Sequence, residues 1–366
     1  MHERSRPSGC GKKIDARKLV RTWNTIPSPG AWVWPTAYQC ILLSEYYLQT
    51  KDKSVLPTIQ GIVDTLQGGQ VADMAYYSER THGKMGNVGN KFRTGGFGHI
   101  TIVEGYGTMT ITTALAVTAL ELAKDTGADV AQEKIDLARD YLRKSTTDGG
   151  YIGYHTKQGG YAAAGRQGLA IISHMLGEYS KENERYIKRV IRGLNDSVLH
   201  LNDAHADSVL GVCWGLLGAN ASGNEKALRD MMDYNKAWFN MARCHDGSFV
   251  ALPGRDRGDK GYYTSSRLHL TGTMALVLNM QNSKLKIHGL NETGSREPKT
   301  ADLPQLRKWH NPDGSKSFEG KLVSSDSSGG VVCIRRKNGK VITVNLTLLN
   351  GDDQKYVQKE TGKNTQ

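Results

Sequence analysis

The chain is poor in the features that most quickly name a chemistry. Its five cysteines, Cys10, Cys40, Cys213, Cys244 and Cys333, are scattered, odd in number and without a CxxC pair, which excludes a disulfide framework. No run approaches the roughly 18 consecutive apolar residues that would span a bilayer. The opening MHERSRPSGCGKKIDARKLVRTW has no apolar stretch after its charges, so neither a secretion signal nor a membrane anchor is expected in it. Neither a GxxxxGK[ST] loop nor a dinucleotide fingerprint occurs; TGGFGHITIVEGYG is Gly-rich but lacks the helix start that phosphate needs.

A concentrated basic face is missing as well, despite a formal charge of +12. Residues 1–22 carry +5 and residues 281–366 carry +6, which leaves the long middle at +1. Charge confined to the ends does not track phosphates, so no specific nucleic-acid partner is expected.

What is present is helical period. From about 35 to 280, PTAYQCILLSEYYL places Ala37, Cys40, Ile41, Ser44, Tyr47 and Leu48 on one face, and SVLPTIQGIVDTL follows with Val55, Ile59, Ile62, Val63 and Leu66 in phase. Pairs are predicted at about 108–124 with 130–144, 163–179 with 183–194, and 205–219 with 224–243, then a last helix near 265–280. The first of each pair is apolar all round and rich in small residues, as in TMTITTALAVTALELA and DSVLGVCWGLLGA. The second is charged on one side, as in AQEKIDLARDYLRK. A helix apolar all round is buried and an amphipathic one covers it, so the expected fold is mainly α: an α/α toroid of paired inner and outer helices.

A turn recurs between helices. TTDGGYIGY (146–154) and CHDGSFVAL (244–252) match Asp148 with Asp246, Gly149 with Gly247, Tyr151 with Phe249 and Ile152 with Val250. Asp-Gly ends a helix and the aromatic anchors the chain back on the core. Cys244 and His245 then stand where the other copy has Thr146 and Thr147, so the turn does not need them. Together with Cys213 they are similar to the zinc set of the lanthionine cyclases, also helical toroids, in which an isolated Cys joins an adjacent Cys-His pair. That resemblance implies Cys213, Cys244 and His245 as metal ligands. The motifs are differently arranged here, and Cys213 lies in phase with Val209, Leu216 and Leu217 on a helix stripe. The expectation is therefore no cofactor, with zinc as the alternative. Cys40 on a helix stripe and Cys333 in a strand-like run read as small buried hydrophobes.

The loops hold the remaining candidates. Residues 68–107 include ten glycines in a connection too long to be plain. His99 and His205 are the candidate catalytic imidazoles, and Tyr106, Tyr151, His155, Asp207, Tyr262 and Arg267 are candidate binding residues at one mouth of the toroid. The terpene-cyclase acid DxDD is absent, since DAHAD (203–207) gives only Asp203, His205 and Asp207, and SGCGKK (8–13) lacks the Glu-Gln of a thioester.

VWPTAYQCILLSEYYLQTKDKSVLPTIQGI, GYGTMT and CHDGSF together resemble an uncharacterised bacterial domain family built as an α/α toroid of the terpene-cyclase kind, often found after a PDZ module. The resemblance runs from 31 to about 290 and implies the fold without an activity. It also implies an exported protein, although no signal is read in this sequence.

After Met280 the composition turns polar, with Pro298 and Pro304, as in a linker. SFEGKLVSS, GVVCIRRK and VITVNLTLL then have strand character, with Asn338-Gly339 as a hairpin signal, and predict a small all-β barrel. Arg307, Trp309, Asp313, Gly314, Phe318, Gly320, Val332, Ile334, Gly339, Ile342, Val344, Leu346, Leu349, Asp352, Asp353, Tyr356 and Val357 resemble the SH3-like first homology domain of the fungal actin-assembly and endocytic adaptor. That implies a peptide-binding module. The expected organisation is a basic disordered lead-in (1–22), a toroid (23–280), a linker (281–304), an SH3-like barrel (305–359) and a tail (360–366). The expected function is non-catalytic binding of a glycan, peptide or protein, with an enzyme acting on a glycan or peptide as the alternative.

Overall fold

In a computed structural model, residues 16–72, 93–101, 107–157, 160–178, 180–201, 208–251, 267–280, 282–289, 307–325, 330–336 and 341–361 are described. The chain divides into two compact units, Met1–Gly294 and Ser295–Gln366.

In the first unit, α1 (Ala16–Trp23) precedes α2 (Val33–Thr50) and α3 (Leu56–Gly68). Then come α4 (Thr110–Asp125), α5 (Gln132–Lys144), α6 (Ala164–Met175), α7 (Lys181–Asn195) and α8 (Ser208–Ala221). Last are α9 (Glu225–Tyr234), α10 (Lys236–Ala242) and α11 (Arg267–Leu278). Helix α1 falls in the stretch expected to be a disordered lead-in; its amphipathic pattern lets Val20 join the core. The single helix expected over 224–243 is broken at Asn235, whose amide donates to the Val198 and Met231 carbonyls instead of pointing to solvent.

The inner layer is α2, α4, α6, α8 and α11, packed in that order, with α3, α5, α7 and α9 outside it. Helix α4 is buried from Thr110 through Ala123, as its all-round apolar sequence requires. Between α6 and α8 the backbones nearly touch: a Cβ on Gly168 would stand 1.9 Å from the Trp214 carbonyl oxygen, and one on Gly215 would meet Ala164 at 2.7 Å. Tyr38 of α2 stacks on Trp214 of α8 with ring centroids 6.1 Å apart, and the indole N–H donates to its hydroxyl at 3.0 Å. The layer thus curls back on itself, the arrangement of an α/α toroid. A buried ion pair, Arg139 to Glu121 at 2.7 Å, with Arg139 also donating to the Ser173 carbonyl, ties α5, α4 and α6 together. Burial is the main influence on both groups, raising the Glu121 carboxyl and lowering the Arg139 guanidinium, while each partner opposes that shift in the other.

The C-terminal ends of the inner helices meet one strap, residues 282–289. Its Ile287 N–H donates to the buried Glu45 carboxylate of α2 at 2.9 Å, Lys286 pairs with Asp125 of α4 at 2.7 Å, and the Asn220 amide of α8 donates to the His288 carbonyl at 3.0 Å. Gly289, at φ +78°, closes the strap where a Cβ would stand 2.7 Å from Ala221 Cα.

The second unit is an antiparallel sheet in the order β1 (Arg307–His310), β2 (Ser317–Ser325), β3 (Val331–Arg336) and β4 (Val341–Asn345). Strands β2, β3 and β4 fall on the three runs expected, with an irregularity between Leu322 and Ser324; the Asn338-Gly339 pair lies outside the described residues. Trp309, Val332, Ile334, Leu346, Leu349 and Val357 form its core. The chain then enters α12 (Gly351–Thr361), where Asp353 accepts from the Arg307 side chain and the His310 N–H, both at 2.7 Å.

Candidate functional site

At the other end of the inner layer, two short straps cross the first turns of the helices. Residues 31–33 pair with 99–101: Val33 N–H donates to the His99 carbonyl at 2.7 Å and Thr101 N–H to the Ala31 carbonyl at 2.8 Å. His99 then meets two indoles, that of Trp32 before α2 and that of Trp34 in its first turn, at 5.6 and 6.3 Å between centroids. The second strap ends on α4, where Thr110 N–H donates to the Tyr154 carbonyl and its hydroxyl to the Gly153 carbonyl. His155 follows at once, edge-on to Tyr154 at 4.5 Å, with its own carbonyl accepting from the buried Tyr141 hydroxyl at 2.9 Å.

These contacts assign the protons. An indole N–H only donates, so Nδ1 of His99, which receives Trp34 Nε1–H at 2.9 Å, is the bare nitrogen and Nε2 carries the hydrogen. A carbonyl only accepts, so Nδ1 of His155, held against the Thr108 carbonyl, carries a hydrogen. Burial, and then the positive charge of a protonated His155, push the His99 imidazole below its ordinary range. The two imidazoles are therefore held in opposite senses at Nδ1, His99 accepting and His155 donating. Around them Trp32 is 55% exposed, and Tyr161 is 50% exposed with the Arg166 guanidinium of α6 behind it, 4.5 Å from its centroid.

The other predicted residues lie elsewhere. Tyr151 donates to Asp196 at 2.5 Å, tying its turn to the end of the outer helix α7, and that hydrogen bond to a carboxylate raises its phenol. Arg267 stands 3.8 Å from Asp246 at the start of α11. Cys213 is in the core, where burial pushes its thiol up to about 12, whereas His245 is exposed on its turn. Among the described residues no three His, Cys, Asp or Glu side chains are gathered to hold a metal ion, so Cys213, Cys244 and His245 do not converge. Tyr106, His205, Asp207 and Tyr262 lie outside the described residues.

The repeated turn exists but in a register one residue away from the sequence match. Thr147 N–H bonds the Tyr151 carbonyl and Gly150 N–H the Thr147 carbonyl; Cys244 N–H bonds the Ser248 carbonyl and Gly247 N–H the Cys244 carbonyl. The left-handed glycines are Gly150 and Gly247, both with φ near +90°. Cys244 thus corresponds to Thr147, His245 to Asp148 and Phe249 to Ile152.

Trp32, Trp34 and Tyr161 were not singled out by the sequence reading. The only local sign is WVWP directly before a helix start, a position that puts an indole at the helix mouth.

The first unit is a two-layer α/α toroid with an aromatic, imidazole-bearing end. The chain belongs to the family described as Domain of unknown function (DUF6288), whose family model matches residues 8–289. No curated protein matches it. Among solved structures it is similar to a glycosyl hydrolase family 88 protein from Bacteroides vulgatus, with a TM-score of 0.32 and 10% identity, over 75% of this chain and 68% of that one. A likeness at that level carries no information about activity.

Proposed function

We propose that the helix-start end of the toroid is a non-catalytic carbohydrate-binding surface. A sugar ring offers apolar C–H faces and a rim of hydroxyls that both donate and accept, so its complement is a flat aromatic face beside one donor and one acceptor. The observation that carries the reading is His99 packed against both Trp32 and Trp34, with its Nδ1 taken by the Trp34 N–H, beside the exposed Trp32 face. The alternative, an enzyme at the same mouth, rests on His155 as the imidazole in the chemistry; His99 is poorly placed for a base because Trp34 occupies its lone pair.

We also propose that the C-terminal unit is the SH3-like protein- or peptide-binding module that its sequence resembles, supplying a second contact. The meander of four antiparallel strands around buried Trp309 supports this.

The test is an oligosaccharide array probed with the full chain and with Trp32→Ala. Binding of a glycan class that falls at least tenfold in the variant, about 1.4 kcal/mol, supports the reading. Binding to no glycan, or equal binding by the variant, overturns it. Turnover of a bound glycan, abolished by His155→Gln, would establish the enzyme instead.

A further inference from the structure

The second unit treats its two sheet edges differently. At β1 the edge is closed: Asn350 N–H donates to the His310 carbonyl at 3.0 Å, and the His310 N–H is taken by the Asp353 carboxylate at 2.7 Å. At β4 the pairing register shows which groups are left over. Leu346 N–H donates to the Gly330 carbonyl at 2.9 Å, and along the same ladder Val344 pairs with Val332 and Ile342 with Ile334. Bonded and non-bonded pairs alternate between antiparallel strands, so Ile342 and Val344 turn their N–H and C=O groups to β3, whereas Val341, Thr343 and Asn345 turn theirs outward. No backbone group among the described residues bonds that outer edge.

Nothing in β4 blunts the edge. Its five residues, VITVN, include no proline and no charge, and its pairing with β3 has no bulge. On the core side, Ile342 and Val344 are half-buried against the core of the unit, which leaves an apolar rim beside the open backbone groups. Residues 331–345 hold four basic residues and no acidic one. Two copies of so basic a segment repel, so the charge favours an acidic guest over a second copy of this chain.

We propose that the β4 edge takes an extended, proline-free peptide as a fifth strand, with apolar side chains at alternate positions covering Ile342 and Val344 and acidic residues matching the basic charge. The proposal rests on the reading of this unit as a peptide-binding module and names how the module binds.

The probe is the labelled heptapeptide Asp-Val-Thr-Val-Thr-Val-Asp, titrated into the full chain by fluorescence anisotropy. The expected result is saturable binding, severalfold weaker when lysine replaces both aspartates. Methylating the backbone nitrogens of one alternate set, the threonines for an antiparallel guest, should abolish binding, and methylating the other set should leave it within about twofold. Thr343→Pro removes an N–H that points away from β3, so the sheet keeps its bonds while binding falls at least tenfold. In the natural chain, the Thr343 amide should exchange quickly when free and at least tenfold more slowly at saturation, with the Ile342 and Val344 amides slow throughout. No binding of the probe, self-association through this edge in its place, or binding indifferent to both methylations and to Thr343→Pro overturns the proposal. The last outcome leaves the peptide-binding reading of the unit standing; that reading fails if a peptide array of diverse sequence is also blank.

Discussion

The two ends of the inner helix layer are built from different materials. The C-terminal ends of α2, α4 and α8 meet strap 282–289 through a buried carboxylate, an ion pair and a glycine pressed on Ala221. The N-terminal ends meet straps held by backbone bonds and the Thr110 hydroxyl, which gather Trp32, Trp34, Tyr154, His99 and His155 there. One end spends its polar groups on closure, and the other keeps aromatic and imidazole groups at its rim. Changes at the first should therefore cost stability, and changes at the second should cost binding.

The sharpest break in that contrast comes from Gly289→Val. Its positive φ and the 2.7 Å approach to Ala221 Cα leave no room for a branched side chain, so a loss of about 3 kcal/mol is expected in urea unfolding. Trp32→Ala, removing a side chain that is 55% exposed, should shift stability by no more than about 0.5 kcal/mol in the same assay.

A comparable but pH-dependent effect belongs to His288. Both ring nitrogens are buried without partners, and burial lowers its pKa from 6.5 to about 4. As pH falls below 6.5 the unfolded chain takes the proton first and the folded chain resists until about 4. Stability is thus fully present above 6.5 and lost towards 4, by at most about 3 kcal/mol. Unfolding curves between pH 7 and 4.5 should be flatter for His288→Leu than for the natural chain, and the variant should be no less stable at pH 7.

The smallest effect sharpens the other end. Trp34→Phe keeps an aromatic ring but removes the N–H that holds Nδ1 of His99. Nitrogen-15 spectra should show His99 as one tautomer, with hydrogen on Nε2, in the natural chain and as a mixture in the variant, with little change in melting temperature.

The helix pairs could be read from sequence because inner helices are apolar all round and outer ones are not; α4 and α5 differ in this way along their whole lengths. The break at Asn235 could not, since it depends on a contact with Val198 far along the chain. In the second unit the four-residue β1 is too short to show a period, while α12 carries Asp352 and Asp353 in its first turn where barrel residues were expected. His99 and His155 were found as polar residues in glycine-rich loops. Their indole neighbours were not, because the pairing of 31–33 with 99–101 is non-local and leaves no trace in either segment alone. The turn repeat was misaligned for a related reason: residue identity favoured Asp-Gly, whereas hydrogen bonding follows the left-handed glycine.

The most direct measurement follows the indole N–H signals of the full chain while a glycan selected on the array is added. The account predicts that the Trp32 and Trp34 signals move and saturate together, while those of Trp238, bonded to the Ala251 carbonyl, and of Trp309, bonded to the Gly320 carbonyl, stay in place. Saturable binding that leaves Trp32 and Trp34 unmoved would contradict it.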